Sequence, residues 1–294
     1  MSKKIFLACV AVLFAACSTD NDNNISGDTL VPVTVHVSGF AVSQDEFPGT
    51  RAATAPVSYE GIDAITLAFY DEKGTEQYKT TQLKSNLPSG KTFGEMELSL
   101  HYGTYTMVVI GRGHFSGDSF TLDSPTSALY DCEHVRETFT CTQAVRISST
   151  SPVNLEATLN RIVAQVAVVS TDTKTANVAR IRTTFSAGGK SFNPTTGLAL
   201  DNTGFSNTVY GEGNAGQTTT AINFLFLATD EQIMDVTIET LDADGEVLFS
   251  KTVTNVPLRR NRVTTLTGAM YSPAAATTAF TLNTDWLPGN SVNF

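Results

Sequence analysis

Residues 31–37 read VPVTVHV, and this alternation indicates an extended strand with one apolar face. Every second residue is a valine, and the four share that face: Val31, Val33, Val35 and Val37. Pro32 has no backbone N–H to donate to a ladder, so the strand is expected at the edge or the end of a sheet. The sequence therefore predicts a first strand over residues 31–38.

Further short apolar runs continue this pattern along the chain, and turn residues separate them. They span residues 65–69, 104–110, 163–169, 223–227, 234–238 and 247–253. No segment of ten or more residues repeats with a helical period. The chain has 294 residues, 41% of them hydrophobic, and can bury sizeable cores. We therefore expect an all-β fold.

A weak internal repeat indicates two domains. A strand, a D-x-x-G turn and a returning strand occur at residues 71–74 and again at residues 242–245. Two β-sandwiches of similar build, mostly antiparallel, would produce this repeat. We place the N-terminal domain at 29–160 and the C-terminal domain at 161–294, each of ordinary size for a domain.

The charge balance excludes one class of partner. Nineteen Lys and Arg residues stand against 29 Asp and Glu residues, which gives a net charge of -10. A nucleic-acid-binding protein needs clustered basic side chains for its phosphate contacts, so nucleic acid is not an expected partner.

The N-terminus is typical of an exported protein. Lys3 and Lys4 precede an uncharged, mostly apolar run, which we interpret as a signal peptide over residues 1–16. The small residues before Cys17 resemble the lipobox of bacterial lipoproteins, which implies lipidation of Cys17; the alternative is an ordinary signal peptide with an incidental cysteine. Residues 17–28 form a polar, acidic tether, similar to the segment that sends Bacteroidales lipoproteins to the outer face of the outer membrane. No later stretch approaches eighteen apolar residues, so no other membrane span is expected.

Two cysteines remain in the mature chain. Cys132 and Cys141 are nine residues apart in an exported protein, which favours a small disulfide loop, or else two free thiols. His134 would make a third zinc ligand, but a structural zinc site needs four ligands and no fourth stands out. We expect neither a metal nor a cofactor.

At several points the sequence resembles the fimbrillin family, the pilins and anchors of Bacteroidales type V pili. The lipobox, the loop with Thr50, Arg51 and Ala52 after the first strand, and the order of four later motifs carry the resemblance. These motifs are FYDxxG (69–74), GxYxMV (103–108), LxRxVAxV (159–166) and VPLRRNxxTxLTG (256–268). The last motif carries most of the weight, and together they cover nearly the whole mature chain.

The resemblance implies two tandem transthyretin-like β-sandwich domains and assembly by strand exchange. In family pilins a lipoprotein precursor is cut after an arginine in the loop that follows the first strand. Here that loop spans 47–56, the matching residue is Arg51, and Ala52 would be the new N-terminus. The lipid and the first strand then leave, and a strand from another subunit fills the groove. Anchor subunits keep their lipid, so stalk, tip and anchor roles all stay open.

The C-terminus offers a donor strand at residues 279–286. Its alternating residues share one face: Phe280, Leu282, Thr284 and Trp286. Main-chain bonds would give such a strand its affinity, and the alternation would set its register. The alternative is that this segment is the last strand of its own sandwich and that Arg51 is an ordinary surface charge. Residues 287–294 either extend the donor arm or fold back on the domain.

The sequence thus predicts a structural subunit of a cell-surface fimbria that supports adhesion. The expected partners are other fimbrial subunits, the outer membrane through the lipid, and a ligand on a host or bacterial surface. A surface glycan-binding lipoprotein is the alternative, although one tryptophan within a terminal strand argues against a platform of exposed aromatic side chains. An enzyme is not expected, because the sequence has no G-x-S-x-G or H-E-x-x-H motif and its four histidines are scattered.

Overall fold

A computed structural model of the chain describes residues 29–41, 54–115, 117, 119–210, 214–272 and 280–283. Several predicted features lie outside these residues. They are the signal peptide, Cys17 and the tether, most of the 47–56 loop with Arg51 and Ala52, and the C-terminal residues from Thr284 onward, which include Trp286. Among the described residues, no helix is long and apolar enough to cross a bilayer.

The N-terminal part of the chain consists of strands and two short 3-10 turns, at Pro56–Ser58 and Lys84–Asn86. The strands are β1 (Leu30–Ala41), β2 (Ala64–Asp71), β3 (Glu76–Leu83), β4 (Glu95–His101), β5 (Gly103–Arg112), β6 (Phe120–Ser124), β7 (Ser127–Tyr130), β8 (Thr138–Ile147) and β9 (Val153–Arg161). Turn residues separate successive strands, as the sequence pattern predicts.

Seven of these strands form one sheet in the order β3-β2-β5-β8-β9-β1-β4. β8 and β9 are joined by two residue pairs, Phe139 with Arg161 and Thr140 with Asn160, so the sheet turns a corner there. The layer β3-β2-β5-β8 then faces the layer β9-β1-β4. Apolar side chains from both layers fill the space between them, and this cluster is the first core of the molecule.

The C-terminal strands follow β9 after a connection of two residues, 162 and 163. They are β10 (Ala164–Ser170), β11 (Arg180–Phe185), β12 (Ser191–Phe192), β13 (Phe205–Tyr210), β14 (Thr220–Leu225), β15 (Glu231–Leu241), β16 (Val247–Arg259), β17 (Val263–Gly268) and β18 (Thr281–Asn283). All of them except β12 form two four-stranded sheets, β14-β10-β17-β18 and β13-β11-β15-β16, around a second apolar cluster. The fold is all-β and mostly antiparallel, which confirms the predicted fold class.

A third apolar cluster combines residues from both parts of the chain. Tyr70 and Ile110 project from the outer face of the first sheet, and Phe192 and Phe226 come from the C-terminal part. The rings of Phe192 and Phe226 stack with their centroids 4.2 Å apart. β12 also pairs with β7 in a small sheet of order β12-β7-β6. The division into domains at 29–160 and 161–294 stays a prediction, and this shared cluster would be their interface.

The two D-x-x-G turns of the internal repeat have the same hydrogen bonds. Asp71 accepts from the backbone N–H groups of residues 73 and 75 through one carboxylate oxygen, and Asp242 does the same with residues 244 and 246. The final glycines, Gly74 and Gly245, have φ values of 78° and 94°, a region that glycine enters without strain. These carboxylates therefore accept hydrogen bonds that stabilise both turns, and the sequence pattern predicted the turns themselves.

A third carboxylate holds the chain just after β17. Asp172 accepts backbone N–H groups from Met270 at 2.8 Å, Tyr271 at 2.9 Å and Ser272 at 2.8 Å. Burial by itself would raise the pKa of Asp172, but these backbone hydrogen bonds lower that pKa below its ordinary value. The carboxylate thus fixes residues 270–272, from which the C-terminal segment departs.

We expect Asp172→Asn to lower the free energy of unfolding at pH 7 by about 1–2 kcal/mol, because the amide offers one acceptor oxygen without charge. A pKa depressed in the folded state stabilises it above the unfolded pKa of about 4, and this contribution is lost as the pH falls through the folded pKa. Urea titrations at several pH values check this. The difference between the variant and the wild type should begin to shrink near pH 4 and disappear below the folded pKa of Asp172, whereas Asp244→Asn, at an exposed turn position, should change little at any pH. If the free energies of unfolding of Asp172→Asn and the wild type differed by the same amount down to about pH 2, the stabilising role of the Asp172 carboxylate would be contradicted.

Candidate functional site

The candidate site is the slot between β9 and β4 that β1 occupies. β1 runs parallel to β9, from Val33 opposite Val153 to Ala41 opposite Asn160, and antiparallel to β4 over residues 30–36. Both edges of β1 are therefore paired. We call the space between β9 and β4 the first-strand slot.

The four valines of β1 point into the first core. They are buried, with exposed fractions between 0 and 6%. The alternation that the sequence predicted is thus confirmed, and burying each side chain contributes roughly 1.5–3 kcal/mol. A peptide with this pattern is held in the slot by its apolar face as well as by its backbone.

The predicted position of β1 at a sheet edge is wrong. β1 lies inside the sheet, and β4 is the edge strand beyond it. Pro32 is tolerated because the ladder with β9 begins one residue later, at Val33, so the missing N–H does not interrupt that ladder. Single-strand patterns cannot show this, since the partner β9 is more than 110 residues away along the chain.

The loop after β1 is closed by one backbone bridge. Phe40 and Thr54 exchange two hydrogen bonds, with N···O distances of 2.9 and 3.1 Å. Residues 42–53, including Arg51 and Ala52, lie between these two points and outside the described residues. Thr54 and Ala55 are exposed, so the chain returns from this loop on the surface.

The side chain of Phe40 fills a closely fitted site at the end of the slot, which we call the aromatic seat. Its floor is Gly111 of β5, where an added Cβ would lie 2.5 Å from the Phe40 ring. Its walls are Tyr59 and Phe139, with ring centroids 5.3 and 5.1 Å from that of Phe40, and Leu159 of β9. Phe40 is 1% exposed.

A buried polar group lies against this seat. Arg161 Nη2 is 2.5 Å from Glu137 Oε1 and donates to the Tyr59 hydroxyl at 2.7 Å, while that hydroxyl donates to Glu137 at 2.8 Å. Burial, and then the charge of Glu137, raise the pKa of Tyr59 well above its usual range. Tyr59 therefore stays neutral and can donate its proton to Glu137.

The C-terminal strand lies at the edge of its own sheet. β18 pairs with β17 through three residues, and Leu282 lies opposite Leu266 with 42% of its surface exposed. Phe280 packs on Gly268, where an added Cβ would lie 2.8 Å from the ring. Among the described residues, 281–283 form an edge strand of this sheet, as the alternative interpretation expects for that part of the segment. A donor role for Phe280, Leu282, Thr284 and Trp286 stays a prediction.

Comparisons with protein families and solved structures cover nearly all of the described strands. The family of unknown function DUF6562 matches residues 31–285, from the start of β1 to just beyond β18. The chain belongs to this family. No curated protein matches the DUF6562 chain significantly.

Solved structures share the fold of this DUF6562 member. The fimbrial anchor protein Mfa2 from Porphyromonas gingivalis is similar with a TM-score of 0.50 and 13% identity, over 87% of this chain and 98% of that one. A candidate polysaccharide-binding protein from Bacteroides thetaiotaomicron has a TM-score of 0.51 and 13% identity, with 81% and 92% coverage. A candidate adhesin from Bacteroides ovatus has a TM-score of 0.50 and 11% identity, with 88% and 97% coverage. Such low identities show a common fold and no more.

The predicted disulfide between Cys132 and Cys141 is not formed in this DUF6562 chain. Both thiols are free, which was the alternative. Cys141 packs against the first core, whereas Cys132 packs against the third cluster on the other side of the sheet, so the two face different cores. Cys132 Sγ instead donates to the carbonyl of His134 at 3.2 Å.

His134 does not take part in a metal site. Its Nδ1 atom contacts the side-chain oxygen of Asn207 in β13. Within the described ranges, no three His, Cys, Asp or Glu side chains are grouped so that they could hold a metal ion. His134 instead links the loop before β8 to the C-terminal sheets, where Asn207 in turn donates to Asn223 at 2.8 Å.

Sequence reasoning missed the aromatic seat. The apolar run in the sequence ends at residue 110, but β5 continues through Gly111 to Arg112. A glycine inside a strand often marks the close approach of another group, and that signal could have pointed to the seat. The identity of the ring above Gly111 depends on tertiary packing and could not be read from the sequence.

Proposed function

We propose that this chain is a structural subunit of a cell-surface fimbria, exported as an outer-membrane lipoprotein through Cys17 and assembled by protease-triggered strand exchange. The observation that carries the proposal is the placement of β1. It is inserted between β9 and β4, and the loop that contains Arg51 follows it directly. A cut after Arg51 would leave β1 connected to the rest of the molecule through noncovalent contacts alone.

Removal of β1 would create a strong binding site for another strand. Backbone groups of β9 and β4 would lose their partners, and the apolar residues that pack on the four valines would face water. An extended segment with alternating apolar residues can pair with these backbone groups and also cover the apolar residues. The groove thus favours a strand of the same build, supplied by another subunit.

The comparisons support a role at the cell surface. Mfa2, described as a fimbrial anchor protein, has the same fold over almost its whole length. A second protein with this fold, from Bacteroides ovatus, is described as a candidate adhesin. Adhesion, fimbrial partners and a location on the outer membrane are proposed on this basis, together with the lipobox-like sequence before Cys17.

Cleavage of the full-length chain after Arg51 is expected to start assembly. The cut protein should keep its β-rich circular dichroism spectrum and form ladders of oligomers, whereas Arg51→Ala protein treated in the same way should stay monomeric. Size-exclusion chromatography with light scattering measures the oligomers, and mass spectrometry measures the N-terminus. Protein recovered from its native surface should begin at Ala52 if it is a stalk or tip subunit, and at acylated Cys17 if it is an anchor. Cut protein that stays monomeric would count against strand exchange.

A glycan-binding role is the second candidate, favoured by the description of the Bacteroides thetaiotaomicron structure as a candidate polysaccharide-binding protein. Among the described residues, Phe115 is the aromatic residue with a mostly exposed side chain, and Arg136 lies over its ring at 4.1 Å. Glycan arrays with the uncut chain test this role. Saturable binding that Phe115→Ala abolishes would support it.

A further inference from the structure

We propose that the aromatic seat is the site that selects the incoming strand, and that its occupant after exchange is the Trp286 side chain of a second copy of this chain. This inference rests on the proposed strand exchange. It adds which residue of the donor is recognised, and by which pocket.

The seat is built around an aromatic side chain. Gly111 provides a flat floor, and the rings of Tyr59 and Phe139 form two walls around the space that Phe40 occupies. A smaller side chain would leave a void between these groups, and voids in a close-packed core are destabilising. The seat therefore discriminates by size and shape.

The border of the seat suits a tryptophan. The Tyr59 ring, one wall of the seat, carries a hydroxyl that donates to the Glu137 carboxylate at 2.8 Å. A buried indole N–H requires an acceptor, and a carboxylate oxygen or a phenol oxygen can provide one. Phe40 has no such group, so a tryptophan can use an interaction that the resident phenylalanine leaves unused.

The direction of the slot places Trp286 at this end. β1 is parallel to β9 and antiparallel to β4, and a strand that uses both ladders in the same way must run in the direction of β1. The ladder with β9 shifts register between Val37 and Gly39, so residues 33, 35, 37 and 40 lie opposite residues 153, 155, 157 and 159 of β9. A donor whose four alternating residues take these four positions has its last one in the place of Phe40. In the donor segment 279–286 that residue is Trp286.

The described residues of the donor segment, 280–283, are paired along one edge only. Among them β18 makes three pairs, whereas β1 makes eight pairs with β9 and seven with β4. Leu282 is 42% exposed at the edge, and Phe280, the residue before β18, packs on the second core. Transfer of the segment into a vacant slot therefore exchanges a short ladder for two long ones.

The test uses full-length chain cut in the 42–53 loop and fluorescent peptides of residues 279–294. We expect the unmodified peptide to displace the N-terminal fragment, with a Trp286→Ala peptide binding roughly 100-fold more weakly and a Trp286→Phe peptide in between. A Phe294→Ala peptide is the matched control and should bind within about threefold of the unmodified one. Fluorescence anisotropy measures each affinity.

A change in the seat should remove this discrimination. In cut Gly111→Ala protein, the added methyl group narrows the seat, so the Trp286 and Trp286→Ala peptides should bind with similar affinity. Binding of a peptide of residues 29–41 is the control, in each experiment, that the first-strand slot is vacant. Equal binding of the Trp286 and Trp286→Ala peptides to unaltered protein would overturn the seat as the selecting site and leave strand exchange intact. Binding of the 29–41 peptide with no binding of any 279–294 peptide would overturn both this inference and exchange through the C-terminal strand.

Discussion

We expect Phe40→Ala to lower the free energy of unfolding of the full chain by roughly 3–5 kcal/mol. The Phe40 ring is fully buried and sits on Gly111, so its loss leaves a ring-sized cavity whose floor is backbone and cannot collapse easily. The walls are rings held in place by their own contacts, including one between Tyr59 and Phe139 with centroids 5.3 Å apart. Chemical denaturation followed by circular dichroism measures the change.

Leu30→Ala is the control for this experiment. Leu30 belongs to the same strand, but more than half of its side chain is exposed, so its truncation should change the stability by less than about 0.5 kcal/mol. When the chain is cut in the 42–53 loop, the Phe40→Ala variant should release its N-terminal fragment faster than the wild type. The Leu30→Ala variant should release it at the wild-type rate. A Phe40→Ala loss as small as that of Leu30→Ala would show that the seat does not hold β1.

Glu137→Ala is expected to destabilise the chain by about 3 kcal/mol, the second largest effect. The variant leaves the Arg161 guanidinium in a largely buried position without its carboxylate, and it removes the acceptor of the Tyr59 hydroxyl. Breaking a buried ion pair by removing one partner typically costs 3–5 kcal/mol. Differential scanning calorimetry and urea titration measure the loss.

A surface pair provides the comparison. Lys91 and Glu97 are 2.7 Å apart with side chains 44% and 61% exposed, and Glu97→Ala should cost less than about 1 kcal/mol. The double variant Glu137→Leu with Arg161→Met should recover most of the stability, because no uncompensated charge remains. If the double variant were as unstable as Glu137→Ala, the effect would come from packing and not from the charge.

The sequence could predict what depends on residues close together along the chain. The valines of β1 alternate, and their burial follows from that pattern without knowledge of the partners. The D-x-x-G turns form because an aspartate bonds to backbone groups within four residues. These features are local, so the predictions for them were confirmed.

The errors concern contacts between distant segments. β1 was expected at an edge, but β9 pairs with it from more than 110 residues away. The disulfide between Cys132 and Cys141 was inferred from their separation along the chain, whereas the sheet between the two cores keeps the thiols on different sides. Gly111 and Arg161 become meaningful only when Phe40 and Glu137 are placed beside them. A single sequence gives no measure of such proximity.

The three hydrogen bonds from residues 270–272 to the Asp172 carboxylate have a mechanical consequence for a fibre built from such subunits. One end of a donor arm under tension would be held by hydrogen bonds to β9 and β4 of the next subunit. These bonds share the force, because the force acts along the strand. Its other end is rooted at residues 270–272, where the force passes into three hydrogen bonds to one carboxylate. Protonation of that carboxylate in acid weakens the root and leaves the ladders unaffected. Such a fibre would therefore lengthen in acid at the base of each arm, because residues 270–272 could be pulled free as far as β17, which stays paired with β10.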